Sequence, residues 1–188
     1  KPGTASTSVC KLTKGHLEVM SRYAKARGAT INDLILTAFY RAMFEMSQPL
    51  QGIPMYIPMT VDLRRYLPDQ KTGAIRNFSG GFSTKIAGIN NESFEGTLSR
   101  VSAMMRKIKK GRPGLQSAVG LESVEKSDLH QTLSYYRTLS WIALQISGLF
   151  RHCSPVLSNL GFIHKSPLKF GETAAEDAYI VPPALCAP

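Results

Sequence analysis

The sequence predicts an α/β fold of the α+β kind, a mixed β-sheet flanked by helices, and three features of the chain predict it. Apolar residues recur at helical spacing over two stretches, near 31–46 and 94–108. Between them, residues 53–63 alternate apolar and polar with a period of two, which is the pattern of a half-buried strand. Hydrophobic residues make up 43% of 188, enough for one continuous core at that length.

Residues 1–12 are rich in Ser and Thr with one Pro and one Gly and read as a lead-in, leaving 13–188 as the folded part. Thr13 can cap a helix that carries Leu17, Met20, Tyr23 and Ala24 on one side. Arg22, Lys25 and Arg27 lie late in it, where the helix dipole favours cations, and Gly28 stops it. Thr30 is the next N-cap, with Asp33 at the capping-box position. Behind it Ile31, Leu34, Ile35, Ala38, Phe39, Ala42, Met43 and Met46 follow the i, i+3, i+4, i+7 rule, so this helix is expected to pack deeply.

The strand that follows turns Met55, Ile57, Met59, Val61 and Leu63 to one face and Tyr56, Thr60, Asp62 and Arg64 to the other. Pro54 and Pro58 cannot donate to a ladder, which argues for an edge or an irregular pairing. After a turn from Leu67 to Gly73, residues 78–86 resume an extended pattern in which Gly80-Gly81 points to a bulge or to another backbone passing close. Ser93 opens a helix with Phe94, Leu98, Val101, Met105 and Ile108 inward and a basic end before Gly111. Further helices are expected at 114–124, at 126–136 and around Trp141 to Leu149, and strands over 156–163 and 178–181.

Lys and Arg number 23 against 13 Asp and Glu, and the resulting +10 attracts acidic partners: nucleic acid, an anionic membrane surface, a phosphate-bearing cofactor or an acidic carrier protein. Nucleic-acid binding is disfavoured because the basic run 106–112 lacks interleaved aromatics on which bases could stack. Cys10, Cys153 and Cys186 stand far apart, without the spacing of a disulfide framework or a zinc site, so a reducing cytoplasm is the expected compartment. No apolar run is long enough to span a bilayer, and no signal peptide opens the chain. The start at Lys1 without Met reads as a processed chain or a fragment.

Nucleotide-loop, dinucleotide, zinc-protease and nucleophile-elbow motifs all fail to appear. His16, His130, His152 and His164 are scattered, and none has the neighbours a general base needs. Met20, Met43, Met46, Met104 and Met105 sit at helical spacing and read as core. Asn77, Ser79, Ser158 and Asn159 are small polar residues inside apolar strands, where an unsatisfied polar group is costly. They either pin irregular backbone or face a cavity. Asp62 and Arg64 project from one strand face and read as a local ion pair.

Four segments then resemble one family in its order along the chain. They are Gly28-Ala29-Thr30-Ile31-Asn32-Asp33-Leu34, Thr60-Val61-Asp62-Leu63-Arg64-Arg65-Tyr66, Arg76-Asn77-Phe78-Ser79-Gly80 and Ser158-Asn159-Leu160-Gly161. The family is the chloramphenicol acetyltransferase-like superfamily, which includes the condensation domains of nonribosomal peptide synthetases, wax ester synthases and alcohol acetyltransferases. Its members have two lobes with a substrate tunnel between them, and the catalytic His-His-x-x-x-Asp-Gly motif belongs to the first. That motif is absent here, so the resemblance is to the C-terminal lobe, with the final strands beyond Pro188 missing.

The resemblance implies an acyltransferase that moves an acyl group from a coenzyme A or phosphopantetheine carrier thioester to an alcohol or amine. The thioester is substrate and no cofactor is bound covalently. By the same resemblance Asn77, Ser79, Ser158 and Asn159 line the tunnel, and Asn32-Asp33 orients the deep helix. No catalytic residue is assigned to this chain, and its partners are the N-terminal lobe of the same parent and an acidic carrier protein. The rival expectation is a non-catalytic module that binds an acidic carrier or another protein.

Overall fold

The computed structural model describes residues 8–68, 78–116, 155–159 and 169–174, together with 128, 130, 131, 133–135, 137 and 138. It falls into two compact units, one of residues 14–159 and one of residues 1–13 with 160–188. The fold is mixed α and β, as the periodicities predict.

In the larger unit the elements run α1 (Lys14–Ala26), α2 (Ile31–Ser47), β1 (Pro54–Asp62), a 3-10 turn (Leu63–Tyr66), β2 (Ser79–Ala87) and α3 (Phe94–Lys110). Helix α1 stops as its sequence requires. Gly28 takes φ +62, its N–H reaches Lys25 O at 3.0 Å, and Ala29 N–H reaches Ala24 O at 2.9 Å, which together make a Schellman cap. Ala24 and Ala29, brought together by that cap, are both buried. Two residues later Thr30 and Asp33 form a reciprocal capping box, Asp33 N–H to Thr30 Oγ1 at 3.2 Å and Thr30 N–H to Asp33 Oδ2 at 2.9 Å.

Strands β1 and β2 pair antiparallel without interruption from Pro54↔Ala87 to Asp62↔Ser79. Both prolines fall on positions whose backbone groups point away from the partner strand. Lys85, opposite Tyr56, turns its N–H outward to Met104 Sδ at 3.4 Å, and Pro58 O accepts from Leu157 N–H at 3.0 Å. The missing donors therefore cost the hairpin no ladder bond. Leu157 adds a single parallel bridge to Met59, so of the strand expected over 156–163 the described residues hold only this bridge, and 160–163 lie outside them.

The glycine pair makes no bulge. Instead, another backbone passes close: a Cβ on Gly80 would lie 2.8 Å from Gly114 O, and Gly114, at φ +86, could carry none without meeting Val61 Cγ1 at 2.4 Å. Tyr66 holds the same passage by donating its hydroxyl to Pro113 O at 3.0 Å.

Helices α2 and α3 lie antiparallel on one face of the hairpin, with Lys109 near Asp33 at one end and Arg41 bonded to Glu92 O at the other. Leu36, Tyr40, Ile57, Met59, Ile86, Val101 and Met105 form the shared core. Each fully buried aliphatic side chain there contributes roughly 1.5–3 kcal/mol. Ala24, Ala29, Leu34 and Leu98 make a second cluster, in which α1 packs on α2 and α3.

The buried stripe of α2 is not the one its hydrophobicity marks. Asp33, Leu34, Leu36, Thr37 and Tyr40 are buried, whereas Ala38 and Ala42 are exposed and Met46 is 79% exposed. The helix is apolar on both sides, so periodicity cannot tell which side α3 and the hairpin cover. The polar members of the buried stripe are satisfied where they lie. Thr37 Oγ1 donates to Asp33 O at 2.7 Å. Thr84 gives its proton to Ile57 O at 3.0 Å, which leaves the Tyr40 hydroxyl as donor to Thr84 Oγ1 at 2.8 Å. Burial pushes the Tyr40 hydroxyl up to about 12, so it stays protonated and keeps donating.

The remaining expectations divide. Helix α3 begins after the Ser93 cap, with Gly96 N–H to Ser93 Oγ at 3.1 Å, and buries Leu98, Val101 and Met105 as expected. Residues 115 and 116 are helical, as are 130, 131, 133–135, 137 and 138, within or beside the helices expected at 114–124 and 126–136. The expected helix around 141–149 and strand at 178–181 lie outside the described residues. In the smaller unit, β3 (Lys169–Phe170) and β4 (Thr173–Ala174) form a hairpin turning at Gly171, φ +64, that the sequence did not signal.

Two measurements check this packing. Tyr40→Phe should lower unfolding stability by about 1–3 kcal/mol in urea titration, because Thr84 loses its buried partner. The second concerns Glu92, bound to Arg100 by Nε at 2.8 Å and Nη2 at 2.6 Å. Burial raises its carboxyl, but the bonds from Arg100 and Thr97 and the charges of Arg100 and Arg41 hold it below its ordinary 4.5. A depressed acid stabilises the fold above its unfolded value and loses that stabilisation as pH falls through the folded one. Stability should therefore drop as pH is lowered below about 4.5, and Glu92→Gln should make that drop shallower.

Candidate functional site

The face of the hairpin away from the helices is polar. Tyr56, Asp62, Ser79, Ser83 and Lys85 are exposed there, with Thr60 half-buried among them. The face follows from the strand period: residues opposite one another across an antiparallel pair share a side, so Asp62 stands beside Ser79 and Thr60 beside Gly81. At its far end two distant parts of the chain meet. On the polar face Thr60 Oγ1 and Ser158 Oγ lie 2.8 Å apart, while the next residue, Asn159, donates its Nδ2 to Asn32 Oδ1 at the start of α2, which packs on the other face.

Of the residues singled out in the sequence, Ser158, Asn159 and Asn32 thus come together, joined by Thr60. Ser79 is on the same hairpin face as Thr60, two pairs along, opposite Asp62. Asn77 lies outside the described residues. Asp33 is next to Asn32 but turned inward: its Oδ2 serves the capping box, and its buried Oδ1 has no hydrogen bond and faces Lys109 Nζ at 3.9 Å. Asp33 therefore fixes how α2 begins and where α3 ends, which sets the position from which Asn32 reaches Asn159.

Asp62 and Arg64 do form a pair, Nη1 to Oδ2 at 3.4 Å, but not from one strand face. The strand ends at Asp62, whose Oδ1 accepts from Arg64 N–H at 2.9 Å as the cap of the 3-10 turn. Arg64 then stands over the Phe78 ring, 5.0 Å from its centroid. Both side chains are about half exposed, so the pair shapes the turn and adds little stability. The sequence reading missed Thr60 and Lys109. Thr60 had a signal in its place on the polar side of the strand, while Lys109 is picked from a basic run only by the helix pairing.

Hydroxyls, carboxamides and one ion pair can bind and orient a polar group, and none of them is placed as a nucleophile beside a base. His16 and His130 are exposed, and the His130 backbone N–H donates to Asp128 Oδ1 at 2.6 Å. Among the described residues no cluster of His, Cys, Asp and Glu could hold a metal ion, and no helix is long and apolar enough to cross a membrane.

No protein-family model and no curated protein matches this sequence. Among solved structures the chain is similar to polyketide synthase associated protein 5 from Mycobacterium tuberculosis, with 15% identity and a TM-score of 0.46. The similarity covers 57% of this chain and 29% of that one, so the chain spans less than a third of that protein's length. The functional reading rests on the residues alone.

The Asn32–Asn159 contact is open to a direct measurement. In a double-mutant cycle of Asn32→Ala and Asn159→Ala, urea unfolding should show a coupling of about 0.5–1.5 kcal/mol. Additive single effects would mean that the two carboxamides do not meet in solution.

Proposed function

We propose that this chain is the second lobe of a chloramphenicol acetyltransferase-like acyltransferase and supplies the side of a substrate cleft that carries no catalytic histidine. One observation supports the reading above the others. Asn32 of the Asn-Asp helix opening, Thr60 of the Thr60–Tyr66 segment and Ser158 and Asn159 of the Ser-Asn-Leu-Gly segment, which carry the resemblance and are distant in sequence, meet at the β1 edge of the hairpin.

In this reading the Ser158 hydroxyl and the Asn159 and Asn77 carboxamides hold the thioester and the acceptor by hydrogen bonds. Holding them converts an encounter of three groups into a reaction within one complex. The histidine of the other lobe takes the proton from the attacking oxygen or nitrogen, which adds to the thioester carbonyl and expels the thiolate. The basic α3 end, with Lys107, Lys109 and Lys110 in its last turn, draws in the phosphates of coenzyme A or of a carrier's phosphopantetheine.

That basic end also favours a second reading, a module that binds an acidic carrier and does no chemistry. The two separate on the bench. With the histidine-bearing lobe present, acyl-thioester is consumed in the presence of an alcohol or amine acceptor, and Ser158→Ala lowers kcat/KM about tenfold with an unchanged thermal midpoint. Carrier binding without any thioester consumption in the two-lobe protein would leave the module reading and end the acyltransferase one.

A further inference from the structure

At the opposite end of α2 from Asn32 lies a cavity of about 540 Å3 that plays no part in the hairpin face. It opens between the α2–β1 connection and the β2–α3 loop. Its volume falls within the roughly 300–1,000 Å3 typical of small-molecule pockets. We propose that it binds a neutral polyhydroxylated ligand, a sugar of one or two rings, through carboxamides above an aromatic floor.

The back of the cavity is tied together by a hydrogen-bond network. Arg41 Nη1 donates to Glu92 O at 2.9 Å and to Thr97 Oγ1 at 3.2 Å, and both Glu92 oxygens are taken by Arg100, one also by Thr97 at 2.9 Å. Arg100 in turn donates to Ala87 O at 3.0 Å, which ties the loop to the end of β2. The Arg100 guanidinium is thus paired with Glu92, and Arg41 commits one nitrogen to Glu92 O and Thr97 Oγ1.

The rim differs from the back. Gln48, Asn90, Asn91 and Glu45 face the cavity, and among the described residues their side chains enter no hydrogen bond. Carboxamides offer two donors and an acceptor each, which suits hydroxyls that both give and accept. The floor is Phe44, and Gly88 leaves it uncovered: a side chain at 88 would begin 3.6 Å from the ring. A sugar presents the matching pair of surfaces, an apolar C–H face and an edge of hydroxyls.

Two of the rim residues are held in a conformation that costs free energy. Gln48 caps α2 at φ 43 and Asn91 turns the loop at φ 56, both left-handed, where glycine would sit without penalty. Left-handed residues other than glycine persist where the surroundings over-determine them and are found preferentially at ligand sites. Here each strained position places a carboxamide on the cavity rim.

This strain makes the test decisive. Gln48→Gly and Asn91→Gly keep the backbone, remove the carboxamide and relieve the strain, so the thermal midpoint should stay level or rise. Binding of methyl α-glucoside, methyl β-galactoside and N-acetylglucosamine is followed by saturation-transfer NMR on the full chain, with glucose 6-phosphate as the charged control. At least one neutral sugar should bind, and each glycine variant should weaken it about tenfold, one hydrogen bond's worth. Failure of all three to bind, indifference to both variants, or tighter binding of the phosphorylated sugar would each overturn the proposal. The outcome is independent of acyl transfer, since no residue of the hairpin face lines this cavity.

Discussion

A phenol is buried in the core of the larger unit, and the fold of that unit depends on its being satisfied. Tyr40 has no exposed surface, and its hydroxyl ends against Thr84, which passes its own proton to the Ile57 carbonyl. That chain of two bonds joins helix α2 to both strands at once. An unpaired hydroxyl at this depth would cost more than the bonds return, so Tyr40 specifies one depth and one rotation for α2. Every other contact of the helix follows from that rotation.

One consequence is polarity. With Tyr40 and Thr37 turned inward, Asp33 falls on the buried side at the first turn, where the capping box and Lys109 receive it, and Asn32 falls at the rim. The same rotation carries Arg41 to Glu92 and Thr97 at the far end, where it stiffens the wall of the cavity. Both candidate binding regions are therefore set by the seating of one helix, though they share no residue.

A second consequence concerns the hairpin. One of its faces is filled by α2 and α3, and close backbone contact between Gly80 and Gly114 holds the Asp62 end on that same side. The other face is left to polar side chains; the bridge at Leu157 delivers Ser158 to it, while Asn159 meets Asn32 of α2. The acyl-transfer chemistry proposed for that face requires a base from outside the described residues.

Local order was legible in the chain by itself. The capping box at Thr30 and Asp33, the stop at Gly28, the alternation of β1 and the stripe of α3 are all written within one or two turns of sequence, because they arise from backbone hydrogen bonds between near neighbours. The polar candidates Ser158 and Asn159 were visible too, as polar residues in apolar surroundings, and Asn32 through the family resemblance. What only the tertiary structure decided was pairing across distance: which side of a helix apolar on both sides is covered, that Asn159 meets Asn32, that Gly114 rather than a bulge explains Gly80, and that Gln48 and Asn91 face one cavity. The physical reason is that local signals saturate within a turn or two, whereas these contacts join residues tens to more than a hundred positions apart, chosen by how whole elements pack.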